Sequence, residues 1–254
     1  MKKMIAVLMV ALMILTLAAC GASQPADDGK YVVGVVQLVP HVALDAATQG
    51  FVDRLTELLG EENVTIDVKV AAGDSATCAP IVNDFVTQGV DLIMANATTA
   101  LQSAAAATAD IPIVGTSVTD YVTAGVVDSN EAPGRNVTGA SDLAPIDEQI
   151  AMLMELIPDV QKVGIVYCSA EPNSVIQGNQ AEEQYKAAGL TTVTLTASDV
   201  TTISTVVAAA CEQADVIYIP TDNLFAENME SVKNIAEPAK IPVICGEGGM
   251  VNSG

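Results

Sequence analysis

From Tyr31 onward, short apolar runs alternate with stretches whose apolar residues recur at helical spacing. Runs at residues 32–38, 64–70, 92–95 and 111–115 predict four strands. Between them, Phe51, Leu55, Leu58 and Leu59, and then Ile81, Phe85 and Val86, fall on single helical faces. Gly60 and Gly89 stand where left-handed caps would stop those helices. The alternation restarts after Asp142. A helix carrying Ile146, Ile150, Leu153 and Ile157 leads to a strand over 163–167, a helix over 174–188 closed by Gly189, and strands over 192–195, 216–219 and 242–245. Helices over 203–211 and 223–239 lie between these, and Pro238 should fray or kink the second. Both halves read β-α-β-α-β. The expectation is therefore an α/β chain of two doubly wound parallel-sheet lobes, 31–141 and 142–254, around a ligand cleft.

The first residues break this rhythm. Lys2 and Lys3 precede an apolar run over residues 4–17 that is too short to span a bilayer, which reads as a signal peptide over 1–20. It ends in Leu17-Ala18-Ala19-Cys20, which resembles the lipobox of bacterial lipoproteins, where the Cys is acylated and becomes the mature N-terminus. Residues 21–30, with Gly, Ser, Pro and Asp, then read as a flexible tether. Export places Cys78, Cys168, Cys211 and Cys245 where disulfides can form, yet they show neither CxxC pairing nor metal spacing. Cys168 and Cys245 follow non-adjacent strands, too far apart to bridge, so free and mostly buried thiols are expected.

Half of the 254 residues are apolar, enough for a sizeable core. Ten Lys plus Arg against 31 Asp plus Glu give a net charge of −21, which repels phosphate backbones and makes nucleic acid a poor partner. With His41 as the only histidine, a multi-histidine metal site is excluded. There is no GxGxxG after Val36, no GxxxxGK[ST] and no GxSxG, so neither an enzyme nor a cofactor is expected.

Ligands of doubly wound sheets collect at the carboxyl ends of the strands. Polar residues stand at those ends here. In the first lobe they are Gln37, His41 and Asp45, then Asn96, Thr98, Thr99 and Gln102, then Thr116, Ser117 and Asp120; in the second they are Ser169, Glu171, Asn173 and Ser174, then Thr221, Asp222 and Asn223, then Glu247. Taken singly, Thr98, Ser174 and Asn223 are also the residue types that cap helices, and His41 reads as a polar loop residue. Taken together they point to a cleft. Helix N-termini at Thr98 and Ser174 would hold a carboxylate, and Asp120, Asp222 and Glu247 are the candidates for an ammonium, Asp222 first.

At these residues the chain resembles the ABC-transporter substrate-binding proteins of the tryptophan and tyrosine importer type, with a type I periplasmic-binding-protein fold. The resemblance rests on Gly34-Val35-Val36-Gln37 leading to His41, Val90-Asp91-Leu92-Ile93, Ile111-Pro112-Ile113-Val114 and Thr119-Asp120. It continues through Asn136-Val137-Thr138-Gly139, Ser141-Asp142-Leu143, Asn173-Ser174, Pro220-Thr221-Asp222-Asn223, and Ile241-Pro242-Val243 before Gly246-Glu247. It implies an extracytoplasmic lipoprotein that captures an amino acid, aromatic ones among the candidates, for an ABC permease and ATPase. The 37–41 loop, the Ala97-Thr98 turn, Asp120, Asn173-Ser174, Asp222-Asn223 and Glu247 would then line the cleft. Departures are Tyr121 and Thr99 at positions where such proteins often have Pro, and Glu171-Pro172 before Asn173. Family members continue past the Gly249-Met250 segment, so the second lobe is expected to be incomplete. A ligand-sensing receptor module of the same fold is the alternative, and a neighbouring permease and ATPase would separate the two; a repressor would need a basic helix-turn-helix where this chain has an export signal.

Overall fold

β1 (Tyr31–Gln37) opens the first sheet, its last five residues buried on both faces. The computed structural model describes residues 29–254, so the signal peptide, Cys20 and most of the tether lie outside the described residues. The chain continues through α1 (Val42–Leu59), β2 (Val64–Val70), α2 (Ser75–Gln88), β3 (Leu92–Asn96), α3 (Thr98–Ala107), β4 (Ile113–Val118) and β5 (Val137–Ser141). All pairings are parallel, in the order β2-β1-β3-β4-β5. The second sheet follows with α4 (Ile146–Leu156), β6 (Lys162–Cys168), α5 (Pro172–Ala187), β7 (Thr191–Ala197), α6 (Ile203–Gln213), β8 (Val216–Ile219), α7 (Asn223–Glu227), α8 (Met229–Ala239), β9 (Val243–Cys245) and α9 (Gly248–Ser253). Its order is β7-β6-β8-β9, again parallel. Each lobe thus repeats one winding, with β1 and β6, β2 and β7, β3 and β8, and β4 and β9 in matching places.

Both sheets are covered on both faces, as parallel sheets require. Val36, Ile93, Phe85 and Leu101 pack on one face of the first sheet, and Val33, Val35 and Met94 meet Phe51, Leu55 and Leu59 on the other. In the second lobe Leu153, Ile165, Tyr185 and Tyr218 form one core and Val166, Val207, Ile217, Phe225 and Val232 the other. Each fully buried Val, Leu, Ile or Phe contributes about 1.5–3 kcal/mol relative to exposure. The Tyr185 and Tyr218 rings meet edge to face, 5.5 Å apart at 69°.

The fold departs from the sequence pattern in three places. β5 carries one buried residue, Val137, so no apolar run announces it. It joins β4 across an irregularity between Gly115 and Val118, and Gly139 is needed there: a Cβ would lie 2.2 Å from the Gly115 carbonyl oxygen. The expected helix over 223–239 is broken at Asn228, whose backbone leaves helical geometry and whose Nδ2 donates to the Leu224 carbonyl. Pro238 does not end α8, which runs to Ala239 and closes on Lys240 in the left-handed region at φ 58°.

The four cysteines among the described residues are free. β8 lies between β6 and β9, which separates Cys168 from Cys245. Cys78 and Cys168 are buried, while Cys211 and Cys245 are half-buried. Among the described residues no helix is long and apolar enough to cross a membrane.

Candidate functional site

In each lobe the winding reverses between the first and third strands, the crevice where such sheets bind ligands. In the first lobe that crevice is flanked by His41, the N-cap of α1, and Ala97, the N-cap of α3. No side chain caps either helix. Ala97 lies at φ 91°, ψ 155°, a region that only glycine enters without strain, and its N–H donates to the Thr116 carbonyl at 3.0 Å. Ser117 is also at positive φ, 55°, where β4 bulges.

The second lobe fills the same crevice with acid. Glu171 is the N-cap of α5 and Asp222 the N-cap of α7. The backbone N–H groups of Asn223 and Leu224 donate to Glu171, at 3.1 and 2.8 Å, and that of Phe225 donates to Asp222 at 2.8 Å. Two carboxylates therefore occupy the three successive donors that open α7. Glu171 further accepts from the Asn223 and Asn173 amides, and Asp222 from the Cys168 N–H at 2.6 Å. Glu247 caps α9 by accepting from Gly249 and Met250.

Two cavities open between the lobes. The inner one, about 100 Å³, is lined from the first lobe by His41, Ala43, Leu44, Ser117 and Thr119, with Asp142 beyond β5, and from the second by Asn173, Thr221, Asp222, Asn223, Ala226 and Glu247. The outer one, about 770 Å³, includes Asp74, Thr99, Gln102, Glu171, Asp199 and Glu227 in its wall. Size favours the outer cavity, but chemistry favours the inner. His41 Nε2 and Asn173 Oδ1 are buried without a hydrogen-bond partner, whereas no such atom lines the outer cavity. Asp74 and Asp199 are engaged in capping boxes. Since about 10–15 Å³ of such volume holds a water, the inner cavity accommodates a small molecule.

The lobes touch around this cavity. His41 Nε2 lies 3.9 Å from Glu247 Oε1, and Gln177 donates to Thr119 Oγ1 at 2.9 Å, both residues buried. Gly246 lets β9 end against β8: a Cβ there would come within 2.4 Å of the Thr221 nitrogen. Among the described residues no Lys or Arg lines either cavity. Burial, and then the charge of Glu171, push the Asp222 carboxyl up to about 7, against hydrogen bonds from Cys168 and Phe225 that oppose the shift. Burial, and then Asp222, push the Cys168 thiol up to about 12. Burial on its cavity side raises the Asp142 carboxyl above the usual carboxylate range, although the residue as a whole keeps an exposed surface.

Of the residues expected to line a cleft, the structure brings His41, Ser117, Asn173, Asp222, Asn223 and Glu247 together in the inner cavity. Gln37 is spent internally, donating to Val39 and Asp45 and accepting from Thr48. Asp120 serves its own turn through the Thr123 N–H, and Ser169 bonds to Ala197. Thr98, Thr116 and Ser174 line neither cavity, though Thr98 Oγ1 is buried and unpartnered. The capping alternative also fails for its three residues: the caps are Ala97, Glu171 and Asp222, each one or more positions earlier than Thr98, Ser174 and Asn223. Thr119, Asp142 and the carboxylate role of Glu171 escaped the expectation. The motif Ser141-Asp142-Leu143 and the polar cluster after β6 were the signals available for the last two.

A family profile described as ABC transporter substrate binding protein matches residues 32–254. A tyrosine-binding protein of Clostridioides difficile is 38% identical over 224 residues, 87% of this chain and 65% of that protein, so the chain spans about two thirds of that relative's length. A Streptococcus pneumonia domain solved in complex with L-Trp shares 32% identity with a TM-score of 0.86, covering 89% of this chain and 77% of that one. A substrate binding protein with adhesive properties from Clostridium difficile, in its ligand-free, open form, shares 38% identity but a TM-score of only 0.62, covering 87% and 76%. These relatives are substrate-binding proteins and not enzymes. With its two doubly wound lobes in the type I periplasmic-binding-protein arrangement, this chain belongs to the ABC transporter substrate binding protein family.

Proposed function

We propose that the chain captures a small zwitterionic solute, an amino acid, in the inner cavity and presents it to an ABC permease from the outer face of the bacterial cytoplasmic membrane, held there by a lipid on Cys20. The observation that carries this reading is the polarity of the cavity. The start of α1, which has no side-chain cap, offers N–H groups to a carboxylate, favouring it by about 0.3–1 kcal/mol and up to ~2 when partly buried. From the second lobe Asp222 and Glu247 line the same cavity, joined by Asp142 beyond β5, and among the described residues no Lys or Arg lines it, which suits an ammonium. An aromatic side chain is supported by the relatives that bind tyrosine and tryptophan.

Calorimetry of the intact chain with L-tyrosine and L-tryptophan, against a sugar and a nucleoside, tests the ligand. Binding confined to the sugar or nucleoside would refute the zwitterion site. For the anchor, Leu17-Ala18-Ala19-Cys20 presents a thiol just outside the membrane, and a diacyl chain supplies the two-chain affinity that stable attachment needs. Cys20→Ser should move the protein from the membrane fraction to the soluble one. Equal membrane retention would sink the assignment.

A further inference from the structure

A pair of acids at the start of α7 lines one cavity each. Asp222 faces the inner cavity and is 1% exposed; Glu171 faces the outer one and is 5% exposed. They cap the same helix turn, Glu171 accepting also from the Asn223 and Asn173 amides, and among the described residues no Lys or Arg lines either cavity. Two like charges in a site that excludes water do not both ionise readily. The other titratable groups around them are Cys168, whose N–H donates to Asp222, and His41, Asp142 and Glu247, which line the inner cavity with it. On the Glu171 side the outer cavity adds Asp74, Asp199 and Glu227, all acids.

Resting on the amino-acid reading above, we propose that the Glu171–Asp222 pair holds a proton in the ligand-free protein and that the ammonium of the arriving solute takes its place. The proton leaves to solvent, and the pair becomes doubly ionised with the ammonium as its counter-charge. No bond other than the O–H of the acid is broken. The upward shift of Asp222 agrees with a proton held in the absence of a cation. Both Asp222 oxygens accept a backbone N–H, yet a carboxylate has about four lone-pair positions, so acceptor capacity remains toward the cavity. Capture is thereby linked to pH: affinity rises as pH increases up to neutrality and levels off above it.

The test is calorimetric titration of the intact chain with L-tyrosine and L-tryptophan, at about pH 6 and about pH 8.5, each in two buffers of different ionisation enthalpy. The expected result is release of up to about one proton per solute at the lower pH, little at the higher, and an affinity that falls by up to about tenfold per unit of acidification. Asp222→Asn, isosteric with the protonated acid, should abolish the release. If that variant loses its fold by circular dichroism, Glu171→Gln gives the answer instead, because removing the neighbouring charge lets Asp222 ionise beforehand and shrinks the release. Binding without proton exchange, or release unchanged in Glu171→Gln, overturns the proposal and leaves the zwitterion site standing. Net proton uptake also overturns it. Failure of both amino acids to bind at either pH overturns the proposal together with the functional reading.

Discussion

The two lobes repeat one winding and treat their helix starts differently. After the second strand they agree: Asp74 with Thr77 and Asp199 with Thr202 form matching capping boxes. After the third strand they part. The first lobe places Ala97 there, strained and without a side-chain cap, while the second places Asp222, reinforced by Glu171 from the loop that follows β6. Matching windings thus give opposite electrostatics at this turn. One lobe leaves helix donors to its surroundings, and the other consumes its donors and shows acceptors. Nothing in a shared fold dictates this, since a single residue at the N-cap decides which sign a helix start presents. The uncapped start of α1 and the acids Asp222 and Glu247, which meet in one cavity, are what support the proposed solute carrying both charges.

The largest expected effect comes from making the second lobe like the first. Asp222→Ala should weaken amino-acid binding about a hundredfold or more, because breaking a buried ion pair by removing one partner costs ~3–5 kcal/mol. Calorimetry, with circular dichroism to establish an intact fold, measures it; binding equal to wild type would remove Asp222 from the site. Next is the pH dependence of stability. The Asp222 carboxyl is raised from 3.8 to about 7, so between those values the folded chain holds a proton that the unfolded chain has lost. That contribution is complete below the unfolded value and disappears as pH rises through the folded one. The ligand-free protein should therefore melt at a higher temperature at about pH 5 than at about pH 8, and Asp222→Asn should flatten the difference. An equal slope in the variant would assign the pH dependence elsewhere. The smallest effect probes the first lobe: Ala97→Gly relieves strain worth about 1–3 kcal/mol and adds about 0.4–1 kcal/mol of unfolded-chain entropy, for a net gain of about 1 kcal/mol. A melting temperature no higher than wild type would show that φ 91° is not held under strain.

Much of the fold was legible in the chain. Eight of the strands stand on apolar runs such as Val32-Val33 and Ile217-Tyr218-Ile219, and the helix faces of Leu153 and Phe85 are buried as their spacing required. β5 was not legible as a strand because its Thr138-Gly139-Ala140-Ser141 faces solvent and its membership depends on β4 beside it. The break at Asn228 was hidden for a related reason, since Asn is tolerated in a helix until its amide finds the carbonyl of the previous turn. At the site, the sequence located polar residues at strand ends but not their directions. Gln37, Asp120 and Ser169 look as suitable as His41 and Asn173 until their partners are seen.

What the sequence determined by itself was the alternation of buried strand and amphipathic helix, the two-fold repeat of that pattern, and the acid-rich strand ends. These are local properties, fixed by side-chain period and composition. The tertiary structure alone decided which polar atoms are satisfied and which are left facing the cavity. It set Glu171 against the donors of α7, fifty residues on, and set His41 of one lobe 3.9 Å from Glu247 of the other. Such pairings follow from how strand ends converge across a cleft, and a hydrogen bond between distant segments leaves no period in the chain that makes it.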